Sequence, residues 1–429
     1  MTQRSLADWL AYLEQLHPSA IDMGLERVAE VAARLGLGRP AKRVVTVTGT
    51  NGKGSTCAFL AALLAGRGHK VGIYSSPHLL QYNERVVIDG QMVADDALCR
   101  AFSAVEAARG DTSLTYFEMG TLAALWLFEQ AELGVAVLEV GLGGRLDAVN
   151  LIDADLALIT SIGVDHAEWL GDSRESVARE KAGIMRAGRA ALCGDPQPPA
   201  NLLQYANTLG VELSIRGRDF DLAVEGSGWR WSGRSAQGDS LTLDELPLLD
   251  LPMENAALAL QAFVLLEPQW RIEQVRRALG DTRLVGRLDR RQVQVNGRTL
   301  TLLLDVGHNP QASEFLAGRL RQRACAGRRH AGRRYAVFGL LADKDLPGVV
   351  QPLLDLVDTW AVAPLPCGRS RAAAELREVL SGFGARSVEA GSVAEALDKQ
   401  CAQADEQDEI LVFGSFYCVA EALAWLARH

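Results

Sequence analysis

Val44-Val45-Thr46-Val47-Thr48-Gly49-Thr50-Asn51-Gly52-Lys53-Gly54-Ser55-Thr56 is the run on which the reading of this chain turns. Five β-favouring residues, 44–48, predict a strand. They pass directly into three glycines, a lysine and hydroxyls. Residues 57–64, apolar and alanine-rich, then predict a helix. A glycine loop between strand and helix start lets backbone N–H groups turn inward, and the helix end adds partial positive charge, so the unit is a phosphate cradle. Lys53 can reach terminal phosphates, and a hydroxyl at Ser55 or Thr56 can sit on Mg²⁺. Gly54 breaks the usual spacing by separating the lysine from the hydroxyls. A bare strand-to-helix turn would need neither. A GTPase would also carry an Asn-Lys-x-Asp base-reading motif, and the nearest stretch, Ala342-Asp343-Lys344-Asp345, lacks the asparagine.

Outward from the loop, strands alternate with helices, which implies a parallel sheet covered on both faces. Helices are expected near 5–16 and 25–35, before the loop. After it come a strand at 70–75, a small hairpin at 86–93, helices near 95–109 and 117–132, and strands at 135–140, 156–161 and 190–193. A helix is expected near 173–187. Residues 211–246 differ: paired Trp229 and Trp231 among Gly and Ser turns predict antiparallel strands. Helices follow at 253–266 and 271–279. A boundary near 285–297 reads as a linker and hinge. Beyond it a second alternation begins, with strands at 300–305, 335–339, 359–363 and 410–414. The expected domains are 1–287, with a β-rich subregion at 211–246, and 288–429.

The composition suits this plan. The chain has 429 residues, 48% hydrophobic and 23% charged, enough for two or three packed domains. A formal net charge of −9 argues against nucleic acid as a partner. From Arg319 to Arg334 there are seven arginines and one histidine, which read as a solvated helix end and loop or, alternatively, as a surface for an anionic substrate tail. The seven cysteines are scattered without a Cys-x-x-Cys, so neither a disulfide framework nor a zinc knuckle is suggested and a reducing cytoplasm is expected. Acidic residues within an amphipathic start do not make a signal peptide, and no apolar run reaches membrane-spanning length.

In a parallel sheet, sites gather at the C-terminal strand ends. Ser76 follows one predicted strand, Glu139 interrupts another, and His166 follows a third. A carboxylate in an apolar strand is costly without a partner. Ser, Glu and His make an oxygen/nitrogen ligand set for Mg²⁺, completed by nucleotide phosphates. Gly141-Leu142-Gly143-Gly144 lacks the third glycine and the later acidic residue of a dinucleotide fingerprint. Its small residues are expected to let the backbone approach a ligand that Arg145 and Asp147 contact. Lys181 reads, from residue physics alone, as a surface helix lysine paired with Glu180 or a neighbouring aspartate.

Five motifs in order carry a resemblance: Gly49-Thr50-Asn51-Gly52-Lys53-Gly54-Ser55; Tyr74-Ser75-Ser76-Pro77-His78-Leu79; Leu138-Glu139-Val140-Gly141-Leu142-Gly143-Gly144-Arg145-Leu146-Asp147-Ala148; Arg179-Glu180-Lys181-Ala182-Gly183-Ile184; and Asp305-Val306-Gly307-His308-Asn309-Pro310. From Leu6 to the Gly414-Ser415-Phe416-Tyr417 strand end, the chain resembles the Mur-ligase-type family of bacterial dihydrofolate synthase/folylpolyglutamate synthases. One departure is Gly307, where many members carry alanine. The resemblance implies an α/β fold: a P-loop-type central domain with a mainly parallel sheet and a small antiparallel region, then a smaller Rossmann-like C-terminal domain. It implies that Thr50, Asn51, Gly52 and Lys53 bind ATP phosphates, and that Asn255, Arg287, Asp305 and His308 also contact ATP. Ser55, Ser76, Glu139 and His166 would hold magnesium, two ions in all, and Lys181 would be carbamylated. A dihydropteroate pocket would be formed by Ala20, Ile21, Asp22 and Met23, by Thr115, Tyr116, Phe117 and Glu118, and by Leu146, Asp147 and Ala148. Asp22 could accept hydrogen bonds from an amino-pterin edge, and Tyr116 or Phe117 could pack on its ring.

What the resemblance implies is an ATP-dependent ligase that joins L-glutamate to dihydropteroate and to reduced folates through an acyl phosphate, with Lys53, His166 and Lys181 as catalytic residues. The two domains would close to keep water from the acyl phosphate, the C-terminal one contributing to glutamate binding. The partners are small molecules, with no nucleic acid and no membrane, and a monomer is expected. A synthase that only extends existing folates, a muramyl-peptide ligase and a nucleotide-gated switch are the competing readings.

Overall fold

β1, Ala41–Thr48, is buried along most of its length, the mark of a strand covered on both faces of a sheet. The computed structural model describes residues 4–325 and 332–429. It divides into two units, Met1–Thr282 and Arg283–His429. In the first unit β1 is followed by β2 (Val71–Tyr74), β3 (Val86–Ile88), β4 (Gln91–Met92), β5 (Leu133–Glu139), β6 (Leu156–Ile159), β7 (Ala190–Cys193) and β8 (Leu213–Ile215). They form one eight-stranded sheet in the order β4-β3-β2-β5-β1-β6-β7-β8. From β2 to β8 every neighbouring pair is parallel; at the edge, β3 runs antiparallel to both β2 and β4.

Helices Asp95–Arg109, Tyr116–Gln130 and Glu26–Leu35 lie over this sheet and share one apolar core with it, including Val28, Phe102, Leu122, Phe128 and Leu138. Helix Tyr116–Gln130 begins with a capping box: Glu118 N–H donates to Thr115 Oγ1 (3.2 Å) and Thr115 N–H donates to Glu118 Oε2 (2.7 Å). The second face is covered by helices Lys53–Ala65 and Met253–Leu266, which pack on each other.

The small antiparallel sheet comprises β9 (Asp221–Glu225), β10 (Gly228–Arg234) and β11 (Ser240–Pro247). Trp229 and Trp231 are its buried anchors. Their indole N–H groups donate to Pro247 O (2.8 Å) and Ala257 O (3.1 Å), so burial leaves neither donor unsatisfied. The expected start of this region at 211 needs correction. β8, at 213–215, belongs to the large parallel sheet, because its alternating Leu213 and Ile215 complete the edge beside β7.

The second unit holds β12 (Asp289–Val295), β13 (Arg298–Asp305), β14 (Arg334–Phe338), β15 (Thr359–Val362), β16 (Ser387–Glu389) and β17 (Glu409–Phe413), ordered β12-β13-β17-β14-β15-β16. All pairs are parallel except β12–β13. The linker expected at 285–297 is mostly strand. Asn296 and Gly297 both take positive φ (50° and 76°), turning the chain between paired Val295 and Arg298. Asn-Gly is the two-residue hairpin signal, and here it adds an edge strand.

Of the basic segment from Arg319 to Arg334, residues 326–331 lie outside the described residues. Arg321 pairs with Asp355 (2.8 Å). Arg334 is not solvated as expected: it is buried, and its Nε donates to Glu409 Oε2 at 3.0 Å across the β14–β17 pairing. Removing one partner of a buried pair strands the other charge. Glu409→Ala should therefore destabilise the second unit by roughly 3–5 kcal/mol, read as a lowered urea midpoint.

Candidate active site

The strand register sets the site. Across the sheet, Tyr74 pairs with Leu138, Val47 with Glu139, and Thr48 with Ile159. The C-terminal ends of β2, β5, β1 and β6 therefore lie side by side. Ser76, Glu139, the phosphate loop and the 160–166 loop all leave from this one edge, where a parallel sheet offers its crevice.

The loop is fixed to the end of β6. Thr50 N–H donates to Ser161 O (2.9 Å), Asn51 N–H to Ser161 Oγ (3.0 Å), and Thr160 Oγ1 to Asn51 O (2.6 Å). Thr50 Oγ1 both donates to Gly163 O (2.8 Å) and accepts from Gly163 N–H (3.0 Å). Gly52 sits at φ 86° as the cap of the Lys53 helix, and a Cβ there would meet the Asn255 amide at 2.6 Å. That amide donates to Ser55 Oγ (2.8 Å), so Asn255 and Ser55 brace each other below the loop. Lys53 Nζ donates to Gly49 O at 3.0 Å.

Glu139 is buried at the end of β5. His166 is exposed, with φ 53°, at the start of the short helix Ala167–Leu170. Among the described residues no three His, Cys, Asp or Glu side chains cluster to hold a metal. Ser55, Ser76, Glu139 and His166 bring two hydroxyls, one carboxylate and one imidazole. Such a set suits a hard cation that takes its remaining oxygens from phosphates and water.

Lys181 overturns the expectation of a surface lysine. It is 2% exposed on helix Arg174–Ala182, and Glu180 is taken by Arg145 (2.8 Å). Burial, then the neighbouring positive charge of Lys53, push its ammonium down to about 7; Asp165 works against this. The folded chain thus sheds a proton that the unfolded chain keeps up to about 10.5. Between these values the unfolded state binds more protons, so stability rises with pH. In CO₂-free buffer the native enzyme should gain about 1 kcal/mol per pH unit from pH 7 to 9 relative to Lys181→Met, measured by urea denaturation.

The glycines of 141–144 make room for neighbouring protein. A Cβ at Gly141 would meet Phe117 Cζ at 2.6 Å, and one at Gly144 would meet Glu180 O at 2.9 Å. Asp147 is buried, and its carboxylate accepts from Leu142 N–H (2.9 Å) and Val149 N–H (3.0 Å). Burial raises its pKa to about 6, against those donors. Leu146 and Ala148 flank it. Glu118 Oε1 accepts from Arg27 (2.9 Å), which also pairs with Asp22 (2.8 Å), joining the Ala20–Met23 stretch to helix Tyr116–Gln130. Met23 lies near Gly143, 3.6 Å from where a Cβ would stand. Phe117 packs on Tyr74 (ring centroids 6.0 Å apart) and Tyr116 on Tyr82 (5.8 Å).

The second unit has its own cluster. Asp305 ends β13, and its carboxylate accepts from Leu288 N–H (2.9 Å) and Gly307 N–H (2.8 Å). Its pKa is raised by burial, against the nearby Arg287 guanidinium and these donors. Arg287 lies over the Phe416 ring at 5.1 Å, and His308 faces the same ring at 6.2 Å. A Cβ at Gly307 would stand 2.9 Å from Asp305 Oδ1, so an alanine here would press on that carboxylate.

Comparison with known proteins matches both halves. Residues 47–193 fit the Mur ligase middle domain, and residues 286–416 fit the Mur ligase glutamate ligase domain. The chain is 46% identical to the Escherichia coli (strain K12) dihydrofolate synthase/folylpolyglutamate synthase over 97% of its own length and 94% of that relative. It belongs to the dihydrofolate synthase/folylpolyglutamate synthase family of Mur ligases. Two solved structures of the family agree in fold. The E. coli enzyme in complex with DHPP and ADP superposes with a TM-score of 0.92 at 44% identity, covering 99% of this chain and 98% of that one. The Yersinia pestis bifunctional enzyme complexed with AMPPNP and Mn gives 0.90 at 44% identity, with the same coverage.

In this Mur ligase, sequence reasoning passed over Thr160, Ser161 and Gly163, which fasten the phosphate loop. Their signal was the Thr-Ser-x-Gly run at the end of β6. It also passed over Phe416, the ring shared by Arg287 and His308. Among the described residues, no helix is long and apolar enough to cross a membrane.

Proposed function

We propose that this chain is an ATP-dependent, ADP-forming ligase that joins L-glutamate to dihydropteroate, giving dihydrofolate, and adds further glutamates to reduced folates. The observation that carries this reading is the row of strand ends on which the braced phosphate loop, Ser76 and buried Glu139 leave one edge of the sheet.

Thr50, Asn51, Gly52 and Lys53 are assigned to the ATP phosphates: Thr50 and Asn51, whose N–H groups are held by Ser161, shape the loop, and Lys53 offsets the charge of the γ-phosphoryl group as it moves to the acceptor's carboxylate. That transfer yields an acyl phosphate and ADP. The amine of L-glutamate then attacks the activated carbonyl, and the tetrahedral adduct collapses to an amide and inorganic phosphate. The residues work by positioning and by fixed electrostatics. A magnesium ion bound by Ser55, Ser76, Glu139 and His166 would supply further positive charge at the phosphoryl oxygens. Lys181, neutral above pH 7, would bond through Nζ to CO₂ with loss of a proton, making an anionic carbamate beside the cation site. Arg287, Asp305 and His308 are assigned to nucleotide contact. Asp22, Tyr116, Phe117 and Asp147, with their flanking residues, are assigned to the pterin acceptor. We assign a cytoplasmic, monomeric enzyme on the same grounds as the sequence reading.

The test is direct. The protein is incubated with ATP, Mg²⁺, labelled glutamate and either dihydropteroate or tetrahydrofolate, and product masses are read. Amide products from both acceptors are expected. Product from tetrahydrofolate alone would leave a synthase that only extends folates, and no product from either would end the reading.

A further inference from the structure

Two arginines are buried among the described residues, Arg85 and Arg334. Arg334 is bonded to Glu409. Arg85 is 9% exposed, yet among the described residues no carboxylate lies within ion-pairing distance of it. Its Nε donates to His78 Nδ1 at 2.8 Å, an imidazole nitrogen and so a neutral acceptor. Its guanidinium lies over two rings, Tyr82 at 5.2 Å and Tyr116 at 5.5 Å. The carboxylate nearest in sequence, Glu84, is spent elsewhere: it accepts from the N–H groups of Leu79 (2.7 Å), Leu80 (2.8 Å) and Gln81 (2.8 Å). Nη1 and Nη2 donate to nothing within the described residues. A desolvated cation is costly, and two ring faces return only part of that cost.

The place of this guanidinium is equally specific. Arg85 O accepts from Ser75 N–H at 3.0 Å, and the next residue, Val86, pairs with Tyr74 at the end of β2. Arg85 is therefore pinned across from the turn that carries Ser76, at the sheet edge where the phosphate loop and Glu139 emerge. One of its two ring partners, Tyr116, belongs to the segment assigned above to the acceptor.

We propose that Arg85 binds a carboxylate of the acceptor that is not itself activated: the α-carboxylate of a terminal glutamate whose γ-carboxylate receives the phosphoryl group. This rests on the ligase reading above. A folate acceptor has two carboxylates on its terminal residue, and dihydropteroate has only the one that reacts. A planar guanidinium held against two rings presents a fork of donors to a carboxylate, which gives geometric as well as electrostatic selection. Arg85 thus sets the balance between the first glutamate addition and the later ones.

The experiment compares kcat/KM for dihydropteroate and for tetrahydrofolate in the native enzyme, Arg85→Gln and Arg85→Lys. In Arg85→Gln the preference for dihydropteroate over tetrahydrofolate should rise about 10- to 100-fold, chiefly through KM for tetrahydrofolate. Arg85→Lys, which keeps charge but not the fork, should recover part of it. Equal losses on both acceptors, or no change on either, would overturn the proposal. Turnover with dihydropteroate reports folding of each variant within the same experiment. A native enzyme inactive on both acceptors would instead refute the ligase reading.

Discussion

Lys53→Ala is expected to lower ATP turnover by about 10²- to 10³-fold, the scale for removing one fixed charge-stabilising group, while leaving the fold intact. Lys53 is half-buried, and its Nζ rests on the Gly49 carbonyl at 3.0 Å. The loop itself does not depend on it, because Thr50 and Asn51 are bonded to Ser161 and Gly163, and Gly52 is backed by Asn255. Circular dichroism and the unfolding midpoint should therefore barely change. A second effect follows from charge. Lys53 helps to hold the Lys181 ammonium down near 7, so its removal should move Lys181 back toward the ordinary lysine range. Phosphate release is the readout for turnover, and the pH at which Lys181 becomes reactive toward an amine reagent is the readout for the coupling. Turnover near the native level would mean that the loop does not hold phosphates.

The phosphate loop was legible because the glycine spacing, the lysine and the preceding β-branched run are all local. So were the periodic helices and short apolar strands: residues 95–109 and 253–266 emerge as Asp95–Arg109 and Met253–Leu266, and strand 190–193 as Ala190–Cys193. What failed was whatever depends on a partner distant in sequence. Glu180 could neutralise either Lys181 or Arg145, and only the approach of the 141–147 loop, through Arg145 N–H to Glu180 O at 2.8 Å, decides for Arg145. Arg334 looked like part of a solvated basic run until β17 brought Glu409 beside it. Nor did the sequence show that Gly141 and Gly144 pack closely on Phe117 and on helix Arg174–Ala182. The β12–β13 hairpin is a different case: its Asn-Gly turn was present in the sequence, and the boundary near 285–297 was placed by the second strand–helix alternation beyond it, leaving that turn unread.

Lys181→Ala is the second large effect, an expected loss of about 10- to 100-fold in ligase activity, the range for groups that orient a metal site from outside its direct ligands. The size alone would not separate a carbamate from a packing role, since the side chain is 2% exposed and its deletion leaves a buried void. Two further measurements do. A carbamate is a carboxylate-like anion, so formate or acetate should enter that void and restore part of the activity. The native enzyme should lose activity in CO₂-depleted buffer and regain it with bicarbonate, and Lys181→Ala should ignore both treatments. The pH dependence has a defined sign: the reactive form is the neutral amine, which burial and Lys53 make dominant above about 7, so recovery with bicarbonate should be faster at pH 8 than at pH 6. A fully active Lys181→Ala enzyme would refute any role for this lysine. An inactive variant without rescue, in an enzyme indifferent to CO₂, would leave the lysine as a buried amine that acts through packing alone.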